Sequence, residues 1–202
     1  MKNKIILTDC DGVLLNWEYA FQIWFEHHGH LPILDDKGLS SRISDQYGLT
    51  DEESIRAVEI FNNSAAIGFL PPLRDAVEYV RKLGNAGYRF HVISSVSDDE
   101  NVKKLRTANL QKLFGDVFDH IECLPIGSSK KEYLSQFQNS GLFWIEDNVR
   151  NAEDGLDVGL QPILMEHGFN MHYQNSAIPI VKNWSEIYEM VTGRCTFLKQ
   201  FL

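Results

Sequence analysis

Cysteine is scarce. The three present, Cys10, Cys123 and Cys195, are odd in number and far apart. They offer neither a disulfide framework nor a zinc-type pair, and such usage suits a reducing cytosol. Long apolar runs are missing as well. No stretch approaches the roughly 20 residues of a membrane span. The opening MKNKIILTDC is too short an apolar run for a signal peptide, and Asp9 interrupts it. Basic residues are in deficit, 19 against 28 acids, giving a formal net charge of −9. That argues against binding nucleic acid polymers, which needs clustered Lys and Arg. It leaves room for a small anionic substrate where a cation offsets the local negative charge. Internal repeats and low-complexity tracts are also lacking. The two Asn-x-Ser matches, at Asn62 and Asn183, are chance in a cytosolic chain.

What is present is globular. The 202 residues, 44% hydrophobic and 23% charged, suit one compact domain with room for a small insertion. Such a chain can bury a core without staples. Near-continuous apolar runs at Lys4–Thr8, Arg89–Ser94, His120–Cys123, Leu142–Ile145 and Gln161–Met165 predict parallel strands covered on both faces. Helical patterns lie between them at Arg74–Gly84, Asp98–Asn109, Lys130–Phe137 and Asn148–Asp157. Ser129 with Glu132 reads as a capping box for the third of these. This alternation predicts an α/β fold with a doubly wound parallel sheet.

One interval breaks the rhythm. From Asn16 to about Pro72 there is no convincing strand. Asn16 is a plausible N-cap for a helix to His28, and Thr50-Asp51-Glu52-Glu53 is a capping box for a second helix toward Ser64. The interval reads as a small helical insertion over the strand ends, where open α/β sheets bind ligands.

Acids collect at two of these strand ends. Residues two apart on an extended chain face the same way, so Asp9 and Asp11 converge just beyond the first strand. Gly12 lets the chain turn away. The fourth strand ends in Glu146-Asp147-Asn148. If the two strands are neighbours, four carboxylates meet, and hard oxygen ligands of this kind suit Mg²⁺. The second strand ends in Ser94-Ser95, whose hydroxyls suit phosphate oxygens. Ser129-Lys130-Lys131 can bring a point positive charge.

Together these stretches resemble the haloacid-dehalogenase-like hydrolases, specifically their Mg²⁺-dependent phosphatase branch. Asp9-Cys10-Asp11-Gly12-Val13 is similar to the first motif, Ile93-Ser94-Ser95 to the second and Ser129-Lys130-Lys131 to the third. Trp144-Ile145-Glu146-Asp147-Asn148, with Asn151-Ala152 and Gly159, is similar to the fourth. The resemblance covers nearly the whole chain apart from the insertion. It implies a Rossmann-like core, residues 1–15 and 73–202, with a helical cap at 16–72 inserted after the first strand.

The resemblance also implies roles. Asp9 is the nucleophile that takes the phosphoryl group, and Asp11 is the acid and then the base. Asp9, the Asp11 carbonyl and Asp147 ligate Mg²⁺, with Glu146 acting through water. Ser94 or Ser95 binds phosphate, Ser94 being preferred because it follows the apolar run directly. Lys130 offsets phosphate charge and is preferred over Lys131 because Leu134 lies four residues on. An acid at position 11 sets dehalogenation aside.

Bland readings compete at several positions. His27, His28 and His30 fall at a helix C-terminus, which favours them there without any metal. Trp17, Phe21 and Trp24 share one helix face, as a packing stripe would. Trp17, nearest the site, could also stack on a flat substrate. Cys10 reads as buried and inert. The expected activity is cytoplasmic phosphomonoester hydrolysis of a small phosphorylated metabolite. The insertion and Phe61…Gly68-Phe69-Leu70-Pro71-Pro72…Ala76 are similar to the 5′(3′)-deoxyribonucleotidases, which points to a nucleoside monophosphate. The alternatives are a sugar phosphomutase of the same branch and a non-hydrolytic phospho-acceptor module. The tail beyond Thr192 ends in apolar residues that could dock on the core or on another subunit, and the oligomeric state is left open.

Overall fold

The computed structural model describes residues 4–33 and 42–194. Cys195 and the apolar end of the tail lie outside the described residues. The chain opens with strand β1 (Ile5–Thr8) and then helices α1 (Trp17–His27), α2 (Ile43–Tyr47) and α3 (Asp51–Asn62). A short 3₁₀ turn (Ala65–Gly68) follows. The alternation then begins with α4 (Ala76–Asn85), β2 (Arg89–Ser95), α5 (Glu100–Phe114) and β3 (Phe118–Leu124). It continues with α6 (Lys130–Leu134), a 3₁₀ turn at Ser135–Phe137, β4 (Phe143–Glu146), α7 (Val149–Asp157) and β5 (Gln161–Met165). Strand β6 (Ile180–Val181) and helix α8 (Trp184–Thr192) close the described part.

All five strand pairings are parallel, in the order β3-β2-β1-β4-β5-β6. The order reverses at β1, so a crevice opens at the carboxyl ends of β1 and β4, where open α/β sheets hold ligands. Side chains alternate across each strand, and both faces of the sheet bury apolar clusters. Ile6, Phe90, Val92, Ile145 and Ile163 pack with residues of α4, α5 and α8, such as Val80, Leu110 and Trp184. On the other face Leu7, Ile93 and Trp144 pack with Leu134 of α6. Helix α7 lies so near the sheet that a Cβ on Gly155 would sit 2.4 Å from Trp144 Cδ1.

Local signals explain the helix starts. Asn16 accepts a hydrogen bond from Tyr19 N–H, and the Thr50–Glu53 capping box is complete in both directions. The expected box at Ser129–Glu132 is not formed, since Ser129 makes no side-chain cap. Among the described residues between β1 and β2 lie only helices and turns, apart from two isolated bridges, Asp11 to Leu15 and Leu15 to Pro72. These helices share one apolar cluster with the sheet. Phe21, Phe25, Phe61 and Tyr47 pack in it with Ile6 and Leu73.

Candidate active site

β1 and β4 are immediate neighbours, with Thr8 opposite Ile145. Asp9 N–H donates to Ile145 C=O at 2.8 Å, carrying the pairing one residue beyond the strand. One carboxylate oxygen from each of Asp9, Glu146 and Asp147 comes within 4.8 Å of the others. The chain turns away from the cluster at Gly12, whose φ is +74°. A Cβ there would stand 2.0 Å from Asp147 Oδ2, so only glycine allows the approach.

Lys130 sits inside this cluster. Its Nζ is 2.8 Å from Asp9 Oδ1 and 2.7 Å from Glu146 Oε1. Lys131 instead pairs with Asp157 and Asp154 away from the cluster. The preference for Lys130 therefore has a geometric basis: it is buried and Lys131 is half-exposed. Asp9 Oδ1 also accepts from Cys10 N–H at 2.7 Å, so both donors to Asp9 fall on one oxygen.

Glu146 is wholly engaged. Oε1 accepts from Lys130 and from Asn151 Nδ2, and Oε2 accepts from the backbone N–H groups of Asp147 and Asn148. Burial opposes its ionisation, but Lys130 and these donors hold its carboxyl below the usual range. Glu146 belongs to the acid cluster, but it does not line the cavity beside it.

Asp9 and Asp147 show the opposite balance. Burial pushes Asp9 up to about 7 against the pull of Lys130, and Glu146 and Asp11 add to the rise. Burial and the charges of Glu146 and Asp9 push Asp147 well above the carboxylate range. An imidazole, His167, is 4.0 Å from Asp147 Oδ2, and burial lowers its tendency to take up a proton. Among the described residues one lysine thus faces three carboxylates. The two uncompensated charges match a divalent cation, and all the donors are hard oxygens, so the residues fit Mg²⁺.

A cavity of about 360 Å³ opens over these groups. Asp9, Asp11, Ser95, Lys130 and Asp147 form its floor, while Trp17, Phe21 and Tyr47 bring aromatic surface from the helical segment. Trp17 stacks on Phe21 at 5.0 Å and donates its indole N–H to Asn62 Oδ1 at 2.8 Å. It serves packing and also lines the cavity.

The structure corrects one preference. Ser94 does not line the cavity, is 1% exposed, and among the described residues its hydroxyl has no hydrogen-bond partner. Ser95, the next residue of β2, faces the opposite side and lines the cavity. Strand alternation is the reason: the end of the apolar run does not decide which serine faces the crevice.

Sequence reasoning missed three residues. His167 lines the cavity, and its Nε2 is 2.7 Å from Gly12 C=O. Asn170 is buried and donates to the carbonyls of Asp147 and Met165, fixing the end of β4 against the loop after β5. Arg106 of α5 grips Asp11 with both terminal nitrogens, at 2.7 and 2.8 Å. Only Arg106 left a readable signal, as a charge at the buried helical spacing of Val102 and Leu110. His28 contacts Trp24 C=O and His30 stacks on Phe25.

Solved structures share this architecture. A haloacid-dehalogenase-like family hydrolase from Streptococcus pneumoniae, SP0104, superposes with a TM-score of 0.64 at 16% identity, covering 94% of this chain and 98% of that one. The fold is haloacid-dehalogenase-like. A D,D-heptose 1,7-bisphosphate phosphatase from B. bronchiseptica, complexed with magnesium and phosphate, shares the architecture. It superposes with a TM-score of 0.58 at 12% identity over 95% of this chain and 99% of that one. In sequence, the chain is 26% identical over 167 residues to an uncharacterized 32.4 kDa protein of the Gp30-rIII intergenic region of Enterobacteria phage T4. The match takes in 78% of this chain and spans 59% of that relative's length. No family model matches the chain. No helix among the described residues is long and apolar enough to cross a membrane.

Proposed function

We propose that the protein is a Mg²⁺-dependent phosphomonoester phosphatase of the cytosol. The observation that carries this reading is the meeting of Asp9, Asp147 and Lys130 at adjacent strand ends on the floor of one cavity. Asp9 attacks phosphorus through the oxygen not occupied by Lys130 and Cys10, and the phosphoryl group passes to its carboxylate. Asp11 gives a proton to the leaving alcohol and then takes one from the hydrolytic water. Dividing the displacement in two lowers each barrier. Ser95 donates to a phosphoryl oxygen, and Lys130 offsets the charge on the group while opposing the rise that burial imposes on the Asp9 carboxyl.

Asp9 and Asp147 are the side chains that would hold the cation, with Glu146 acting behind them. Glu146 orients Lys130 and fixes the backbone of Asp147 through the contacts already described. A bound divalent ion supplies charge stabilisation at the phosphoryl oxygens and draws the raised carboxyls back to their ionised forms. The helical segment 16–72 serves as a cap. Its Trp17, Phe21 and Tyr47 favour a flat leaving group, which is what supports a nucleoside monophosphate as substrate.

A screen of phosphate release with Mg²⁺ across nucleoside monophosphates and sugar phosphates tests the reading. Release that is lost in Asp9→Asn supports it. Isomerised sugar phosphate with little free phosphate would instead favour a mutase. A phospho-aspartate persisting for hours without turnover would favour an acceptor module.

A further inference from the structure

Arg106 is 0% exposed on helix α5, at a helical position flanked by Val102 and Leu110. An aliphatic side chain would continue that stripe and avoid the cost of burying a guanidinium. What only arginine supplies here is a planar fork. Its Nη1 and Nη2 donate to the two oxygens of Asp11, at 2.7 and 2.8 Å. Nη1 also lies 3.5 Å from Cys10 Sγ, while Nε has no partner. The site is thus built around the fork and not around full satisfaction of the guanidinium. Asp11 itself lines the cavity and keeps 23% of its side chain exposed, so the grip reaches the cavity from behind.

The same helix holds the exit of the helical segment. Asn109 accepts from Leu70 N–H at 3.1 Å and donates to Leu70 C=O at 3.2 Å, as a strand partner would. Gly68 packs on Leu105 so closely that a Cβ would be 3.1 Å from Leu105 Cδ2. Leu105, Arg106 and Asn109 therefore brace both Asp11 and the root of the aromatic wall from one turn of helix.

We propose that Arg106 is a positioning residue for proton transfer at Asp11, an inference that rests on the phosphatase reading above. In the first step the bond from phosphorus to the leaving oxygen breaks as the bond to Asp9 forms. The proton of Asp11 ends on the leaving oxygen, and the resulting carboxylate settles in the fork. In the second step water bonds to phosphorus, the bond to Asp9 breaks, and a water proton passes to Asp11. Each Asp11 oxygen keeps a lone pair outside the fork, so the fork orients the carboxylate without closing it to the cavity.

The test compares two substrates in the presence of Mg²⁺. 4-Nitrophenyl phosphate has a leaving group that needs little protonation, whereas a simple alkyl monophosphate needs it fully. In Arg106→Met, kcat for the alkyl ester should fall on the order of 10²-fold, with a much smaller fall for the aryl ester. KM should stay within about threefold for both. Arg106→Lys, which keeps the charge without the fork, should recover part of the loss. It also carries the comparison should the methionine variant not fold. Asp11→Asn should show the same substrate selectivity, and adding Arg106→Met to it should cost little more. Equal loss on both substrates, or a change in KM alone, would overturn the proposal. A wild-type protein inert toward both esters would fail the phosphatase reading instead. Arg106 would then be judged from a crystal structure of Arg106→Met, where a displaced Asp11 carboxylate supports the grip and an unmoved one refutes it.

Discussion

Gly12 and Asp147 are in such close contact that a single methyl group on the glycine would overlap the carboxylate, 2.0 Å from Oδ2. The backbone of Gly12 also lies in the left-handed region. Gly12→Ala should therefore cost about 1–2 kcal/mol of stability for the backbone alone. It should lower turnover on the order of 10²-fold by pushing Asp147 out of place. Thermal denaturation and a phosphate-release assay would check the two effects separately. Wild-type turnover in the variant would mean that Asp147 is not needed where it stands.

Lys130 and Lys131 are adjacent in sequence and opposite in environment. Lys130→Met leaves Asp9 and Glu146 without their cation and should destabilise the fold by about 3–5 kcal/mol, with activity lost. Lys131→Met removes only exposed pairs and should change neither property measurably. Urea denaturation of both variants gives the comparison, and similar midpoints would contradict the assignment.

The serines make a second adjacent pair. Ser95→Ala should reduce turnover about tenfold or more by removing a donor to a charged oxygen. Ser94→Ala should keep activity and gain up to about 1 kcal/mol, because it deletes a buried hydroxyl that has no partner. Steady-state kinetics on both variants decides the matter, with the reverse ranking counting against the strand-facing argument.

Stability should depend on pH in a direction that reveals the cation. Asp9 rises from 3.8 to about 7 on folding, and Asp147 rises as well. Between these values the folded chain binds more protons than the unfolded one, so stability falls as pH rises. Metal-free protein should melt at lower temperature at pH 7.5 than at pH 5. Mg²⁺ should raise the melting temperature more at the higher pH, since it binds the deprotonated site. Glu146 acts in the opposite sense: its contribution is lost only as pH falls through its depressed value. A Mg²⁺ effect independent of pH would contradict the proposed ligands.

Much of this architecture was legible from residue order alone, for identifiable reasons. β1, β2, β4 and β5 are buried on both faces, so their apolar runs are nearly unbroken and their ends fall within a residue or so of the expected ones. The two-residue β6 is too short to carry a period. The acid cluster was readable because each acid either ends a strand or directly follows one. Both serines were named, and only the preference for Ser94 over Ser95 failed, because composition at a strand end does not tell which face a residue takes. Arg106, His167 and Asn170 act across 95, 155 and 23 residues of chain, and such distant pairings do not show their partners in the local sequence.

Where the helical segment leaves and rejoins the sheet has a consequence of its own. Asn16 N–H meets Pro71 C=O at 2.9 Å, and Leu73 N–H meets Leu14 C=O at 2.9 Å. The two ends are thus stitched side by side before β2 begins. On the reading proposed above, the segment would act as a cassette. Another helical piece with an equally oily underside could be ligated at the same seam, giving a new choice of substrate over an unaltered catalytic floor.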